Sequence, residues 1–223
     1  MSIAPWSFSR IKAFEQCPKK FYHLKIAKNY REPETEAMHY GTVVHEAAEK
    51  YIRDGEPLPK QFEYMEPTLR VLLSMKGEKL CEYEMGLTEN LEPCAFDAED
   101  VWFRGIADLI IINRENKVAK VLDYKTGKSA KYADKGQLEL MALATFKHFP
   151  EIETVRAGLL FVVANKFITD EYYKNEEQKL WRKWLFDYGR MEKAYKNDVW
   201  NAHPSGLCRR HCVVTECPHN GAN

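Results

Sequence analysis

The densest chemistry in the sequence lies in two largely apolar stretches: Gly105-Ile106-Ala107-Asp108, then Val121-Leu122-Asp123-Tyr124-Lys125-Thr126-Gly127-Lys128. Side chains alternate across a strand, so Asp123 and Lys125 project from one face, and hairpin pairing can bring Asp108 beside Asp123. Two carboxylates and a lysine among apolar residues are costly unless they are paired or bound to metal. Two readings follow. Either Lys125 neutralises Asp108 or Asp123 in a structural ion pair, or the carboxylates hold Mg²⁺ or Mn²⁺, which favour oxygen ligands. Such an ion would polarise a phosphate and lower the pKa of a bound water. Lys125 would then orient the attacking water or steady developing charge.

Four neighbours bear on the choice. His45, in Gly41-Thr42-Val43-Val44-His45-Glu46, lies just inside a helical pattern, and imidazole is an acceptable Mn²⁺ ligand. Gln137, in Gly136-Gln137-Leu138, comes one helix after the lysine and by itself reads as a capping or surface residue. Glu82 and Glu84 share a face of the preceding strand, and either could add a carboxylate.

A second constellation closes the chain: Cys208-Arg209-Arg210-His211-Cys212-Val213-Val214-Thr215-Glu216-Cys217-Pro218-His219. In a reducing compartment such a cluster reads as a metal site before a disulfide framework. Three thiolates need a fourth ligand, and Cys17, His203, His211 and His219 are the candidates. The residues leave zinc and an iron–sulfur cluster nearly even. Cys81 and Cys94 stand alone in apolar surroundings and are expected to be plain core residues.

The frame that must position these groups is set by 223 residues with 33 basic and 33 acidic side chains and no formal net charge. Neutrality argues against coating nucleic acid or membrane by bulk electrostatics, though not against a local basic groove. Mean hydropathy is −0.52, which suits a soluble globular chain. The longest apolar run, Gly158 to Ala164, is too short to cross a bilayer. No secretory signal is visible at Met1 to Arg10, so a cytoplasmic location is the default expectation.

Periodicity predicts helices over about Arg10–Lys28 (with Pro18 kinking it or starting a second segment), Gly41–Arg53, Lys60–Lys76, Asp134–Phe149 and Glu176–Asn197. Leu180, Trp184, Tyr188, Met191 and Tyr195 form a core-facing stripe on the last of these. Strands are predicted over Cys81–Thr88, Val101–Asn113, Val118–Thr126, Val155–Ala164 and Phe167–Tyr173. The order reads as an α/β protein with a mixed central sheet flanked by helices. With no repeat or linker in sight, one domain over 1–223 is expected, its core at about 80–175. Helices in 7–78 and the helix and cysteine tail in 176–223 would pack on that core.

The ordered set GTxxH, GxxD, DYKTGK and GQL, over a span from Ser7 to Cys217, resembles the RecB-type branch of the PD-(D/E)xK nuclease superfamily. Within that branch the chain is similar to the small CRISPR-associated spacer-acquisition exonucleases. The resemblance implies a restriction-endonuclease-like fold in which His45, Asp108, Asp123 and the carbonyl of Tyr124 bind Mg²⁺ or Mn²⁺. Lys125 would be the catalytic lysine, and Gln137 would position it or the scissile phosphate. Met141 stands where the family often has a tyrosine. Several relatives also carry a [4Fe–4S] cluster on one N-terminal and three C-terminal cysteines, which implies Cys17, Cys208, Cys212 and Cys217 here, with Zn²⁺ the alternative. The cluster would tie the two ends of the chain together.

The implied activity is DNA phosphodiester hydrolysis, as an exonuclease on single-stranded or frayed ends. A structure-specific endonuclease or nickase, or a DNA end-binding module with auxiliary nuclease activity, are the competing readings. Because the net charge is zero, the grip on phosphates must be local. Lys19, Lys20 and Tyr22 form one basic–aromatic group beside Cys17, and Lys128, Lys131 and Tyr132 form another after the catalytic strand.

Overall fold

In a computed structural model, which describes residues 4–131 and 133–221, the chain opens with α1 (Phe8–Gln16), capped by the Ser7 side chain accepting from the Arg10 N–H. Pro18 starts α2 (Pro18–Phe21), and the helix loosens into one π-helical turn at Tyr22–Ile26. The proline therefore begins a new segment, because its ring and missing N–H cannot continue α1. α3 (Glu36–Asp54) begins five residues before the predicted start, since Thr35 caps it through the Met38 N–H. It ends at Gly55, which has left-handed φ. A 3₁₀ stretch (Lys60–Met65) then leads into α4 (Glu66–Ser74).

Six strands form one sheet: β1 (Glu78–Leu87), β2 (Pro93–Cys94), β3 (Phe103–Asn113), β4 (Val118–Lys125), β5 (Thr154–Phe161) and β6 (Lys166–Tyr173). Their order is β2-β1-β3-β4-β5-β6, and only β4 and β5 pair in parallel. The parallel pair requires a crossover, supplied by α5 (Gly136–His148) between them. The mixed sheet with flanking helices is the expected α/β architecture. The two-residue β2 has no counterpart among the predicted strands, because one pair of bridges leaves no periodicity to read. The last helix, α6 (Glu177–Lys196), precedes the cysteine-rich tail.

Contacts divide the chain into two compact units, Thr35–Trp181, and Met1–Glu34 with Arg182–Asn223. In the first, Val44, Ala48 and Ile52 of α3 and Phe62, Met65, Leu69 and Leu72 pack on Leu109, Ile111, Leu122 and Tyr124. Burial of this kind stabilises each large side chain by about 1.5–3 kcal/mol. Leu122 and Tyr124 point into that layer, so alternation turns Asp123 and Lys125 to the opposite face, where α5 lies. α5 is buried nearly all round, from Leu138 to Phe146, which explains why its sequence shows no clean polar stripe.

In the second unit, Trp184 and Met191 of the α6 stripe are buried. Tyr188 meets Trp6 at 5.7 Å between ring centroids, and Trp184 meets Phe8 at 6.1 Å. The expectation for Cys81 and Cys94 needs correction: neither is fully buried. Cys81 packs partly exposed against the α3–α4 core, and Cys94 lies on the short edge strand β2, whose outer side no strand covers among the described residues. Among the described residues, no helix is long and apolar enough to cross a membrane.

Candidate active site

The β3–β4 ladder ends at the pair Leu109–Leu122, which brings Asp108 and Asp123 together just past its last rung. Both are buried, at 7% and 5% exposure. Asp108 Oδ2 accepts the Tyr124 backbone N–H at 2.5 Å. That bond clamps its carboxylate across the hairpin. Its other oxygen, Oδ1, lies 3.3 Å from His45 Nδ1, and His45 Nε2 is 2.9 Å from the Tyr124 carbonyl. One imidazole thus touches the two groups expected to share a metal with it. α3 delivers His45 there because Val44 and Ala48 hold the helix on the sheet.

Asp123 faces a different set of partners. Lys125 Nζ lies 2.6 Å from Asp123 Oδ2 and donates to Gln137 Oε1 at 3.0 Å. Gln137 Nε2 donates to Asp123 Oδ1 at 2.5 Å. The contact between Lys125 and Oδ2 is an ion pair outside good hydrogen-bond angles, so Oδ2 is left without a hydrogen bond. The lysine is about a third exposed, so its ammonium can meet a ligand from solvent while the amide and carboxylate fix its direction.

The third oxygen near His45 and Asp108 comes from Glu82. Ligand atoms of His45, Glu82 and Asp108 all lie within 4.8 Å of one another. Glu82 has φ of +48°, a left-handed conformation rare for a residue with a Cβ, and backbone strain of this sort concentrates at functional sites. In sequence, Glu82 and Glu84 are equivalent. Only this backbone irregularity, opposite Asp108 in the β1–β3 ladder, separates them.

The electrostatics fit a divalent cation. Burial raises Glu82, and the charges of Asp108 and Glu49 raise it further, pushing it up to about 7. Burial and the Asp108 charge likewise raise Asp123, with Lys125 pulling the other way. Burial disfavours the His45 imidazolium, but hydrogen bonding and charge from Asp108, with Asp123 adding, leave it above its ordinary value. Carboxylates crowded at such cost, beside one imidazole, form a hard donor set with nothing but Lys125 and His45 to neutralise it among the described residues. The Tyr124 carbonyl is a further oxygen within reach of the imidazole.

The cysteines converge elsewhere. Cys17, Cys208, Cys212 and Cys217 line one small cavity, with His203, His219, Lys19 and Lys20 on its walls. Cys17 Sγ accepts N–H groups from His203 at 3.4 Å and Lys20 at 3.5 Å, and Cys208 Sγ accepts from Ser205 at 3.3 Å. Among the described residues, the trio of His45, Glu82 and Asp108 meets the 4.8 Å spacing, and no three of these sulfurs do.

The expected DNA contacts are placed unevenly. Lys20 pairs with Glu32 at 2.6 Å, and Tyr22 stacks obliquely on Trp200 at 5.3 Å. Lys128 and Lys131 are exposed after β4, and Tyr132 lies outside the described residues.

Comparisons with known proteins bear on the fold and the family. No curated protein matches the sequence. Among solved structures, a protein described as "Putative exonuclease" from Eubacterium rectale matches at TM-score 0.57 and 12% identity, covering 93% of this chain and 86% of its own, which shows a shared fold. SSO0001 aligns over 99% of this chain and 89% of its own at 14% identity, but its TM-score of 0.45 is too low to bear on the fold. The model of the PD-(D/E)XK nuclease superfamily matches residues 5–218, and a match over that length means that the chain belongs to this superfamily.

Proposed function

We propose that this nuclease hydrolyses DNA phosphodiester bonds with Mg²⁺ or Mn²⁺, acting as an exonuclease on single-stranded or frayed ends. The observation that carries the reading is the convergence of Lys125, Asp123 and Gln137 with the donor set of His45, Glu82 and Asp108. A divalent ion on those donors would polarise the scissile phosphate and lower the pKa of a water beside it.

The chain's own groups do the rest. Asp108, locked by the Tyr124 N–H, would present its other oxygen to such an ion. Asp123 offers the oxygen that Gln137 does not engage. Lys125 keeps its proton on Nζ and donates it as a hydrogen bond to a non-bridging phosphate oxygen, where negative charge grows as water attacks. Gln137 holds that ammonium in place, so no reorganisation is needed as the charge develops.

End-labelled single-stranded DNA with Mn²⁺ tests this directly. Degradation of linear strands, survival of circular ones, and loss of activity in Lys125→Ala are expected. Cleaved circles would make the enzyme an endonuclease, and full activity in Lys125→Ala would remove the site assignment.

The same reading extends to the cysteines, which we assign to a [4Fe–4S] cluster on Cys17, Cys208, Cys212 and Cys217. Their convergence on one small cavity supports a shared metal site for the four sulfurs. The backbone N–H groups aimed at Cys17 and Cys208 suit thiolates. Protein purified without oxygen should be brown and contain several irons per chain. A colourless protein with stoichiometric zinc would replace the cluster with a zinc site.

A further inference from the structure

One concave site in the unit of residues 1–34 and 182–223 belongs to neither the carboxylate site nor the cysteine cavity's interior. It is a groove of about 530 Å³ between α1–α2 and the last turns of α6 with the segment that follows. Ligand pockets commonly run from about 300 to 1,000 Å³, so the space suits a molecule of nucleotide size.

Its chemistry is directional. Arg190, Lys193 and Asn197 recur at helical spacings of three and four, which lines them along one face of α6 and its continuation. Arg190 has an acidic neighbour only at 3.9 Å, in Asp187, and Lys193 makes no ion pair among the described residues. Glu15, the carboxylate on the facing wall, is already engaged by Lys12 at 2.7 Å. The groove therefore presents two available cations against a neutralised acid. Beside them stand the carboxamides of Asn197 and Asn201 and the exposed apolar side chain of Val199.

Cations for a phosphate, amides for a base edge and an apolar surface for a ring are the ingredients of one nucleotide unit. We infer that this groove binds a nucleotide of single-stranded DNA, with its phosphate at Arg190 and Lys193 and its base at Asn197 and Asn201. The choice of DNA rests on the nuclease reading above, but the groove shares no residue with the carboxylate site. Its wall is anchored by His203, whose N–H meets Cys17 Sγ and whose Nδ1 lies 3.3 Å from the Glu15 carbonyl.

The test measures binding of a fluorescein-labelled fifteen-residue oligothymidylate by anisotropy, with metal-replete protein carrying Lys125→Ala so that the probe survives. Adding Arg190→Glu and Lys193→Glu should weaken binding by about tenfold or more at low salt. It should also flatten the salt dependence, by about 0.7 in log–log slope for each phosphate no longer neutralised. The charge-matched pair Lys179→Glu and Arg182→Glu, on the same helix but off the groove, should change affinity by less than about twofold. Asn197→Ala with Asn201→Ala should weaken binding while leaving the salt slope unchanged, because amides displace no counterions. Unaltered binding by the Arg190/Lys193 variant, or an equal loss in the control pair, would overturn the groove. Melting temperatures of all variants confirm folding. If the parent cleaves DNA in Mn²⁺ while the groove variants bind normally, the groove falls and the nuclease stands. If the parent neither binds nor cleaves DNA, the nuclease reading falls first, and the groove's claim on DNA falls with it.

Discussion

Gln137 accepts a hydrogen bond from Lys125 Nζ at 3.0 Å, and the same amide donates to the carboxylate that the lysine pairs with. A glutamine from α5 thus fixes both the position of the ammonium and the orientation of Asp123. On the reading proposed above, Gln137 supports the chemistry from behind: it holds Lys125, which would meet the phosphate, and Asp123, which would hold the ion.

Gln137→Ala should therefore slow cleavage by about 10–100-fold, the usual cost of removing a supporting hydrogen bond. The loss should fall on kcat, with KM little changed, since the groups that bind substrate remain. Single-turnover kinetics on labelled DNA check this. A loss confined to KM would mean that Gln137 binds substrate instead.

Lys125→Ala should cost more, about 10²–10³-fold or beyond, because it removes a charge aimed at the developing phosphate charge. Mn²⁺ binding by calorimetry should survive in this variant, as Lys125 is not a ligand. Asp108→Asn should lose both activity and Mn²⁺ binding.

Glu82→Gln separates cost from purpose. Glu82 is crowded by Asp108 and Glu49, so removing its charge should leave the metal-free protein as stable as the parent or more so. The rise in melting temperature produced by Mn²⁺ should shrink at the same time, since binding to the folded state stabilises only through its affinity. A thermal-shift series with and without Mn²⁺ gives both readings. An unchanged Mn²⁺ response would remove Glu82 from the donor set.

His148 supplies a pH signature away from the site. Its Nε2 is 2.9 Å from the Gly86 carbonyl, and burial holds its pKa below the ordinary value. Just below that ordinary value, the unfolded chain then binds more protons at this residue than the folded one. Stability from this group is present above the unfolded value of about 6.5 and declines as pH falls through it. His148→Gln should lose less of its denaturation midpoint between pH 7.5 and 5.5 than the parent. An identical decline would place the pH response elsewhere.

Gly77, at φ +137°, leads into β1, where an added Cβ would sit 2.7 Å from the Ile112 carbonyl oxygen. The obstacle is backbone, which cannot swing aside. Gly77→Ala should destabilise the protein by about 2 kcal/mol or more, measured by urea unfolding.

Much of this protein is legible in its sequence. Alternation in 118–126 and helical periodicity in 134–149 are local properties, so β4 and α5 appear within two residues of their expected bounds. Residue chemistry alone singles out Asp108, Asp123 and Lys125, because buried charges in apolar strands have few inexpensive explanations. His45 and Gln137 gain their meaning only from the company they keep. The true start of α3 escapes periodicity, because Thr35 lies outside the apolar pattern that marks the helix.

Tertiary structure decided what periodicity cannot carry. It chose Glu82 over Glu84 through a left-handed residue opposite Asp108, and it turned Asp123 toward Lys125 and Gln137 while His45 took Asp108. It also drew Cys17 to cysteines near the opposite end of the chain, and left Arg190 and Lys193 on an open groove. The sequence by itself determined which side chains carry charge and which face of each element they share. Which of them meet depends on strand register and helix packing between distant segments, which no local pattern encodes.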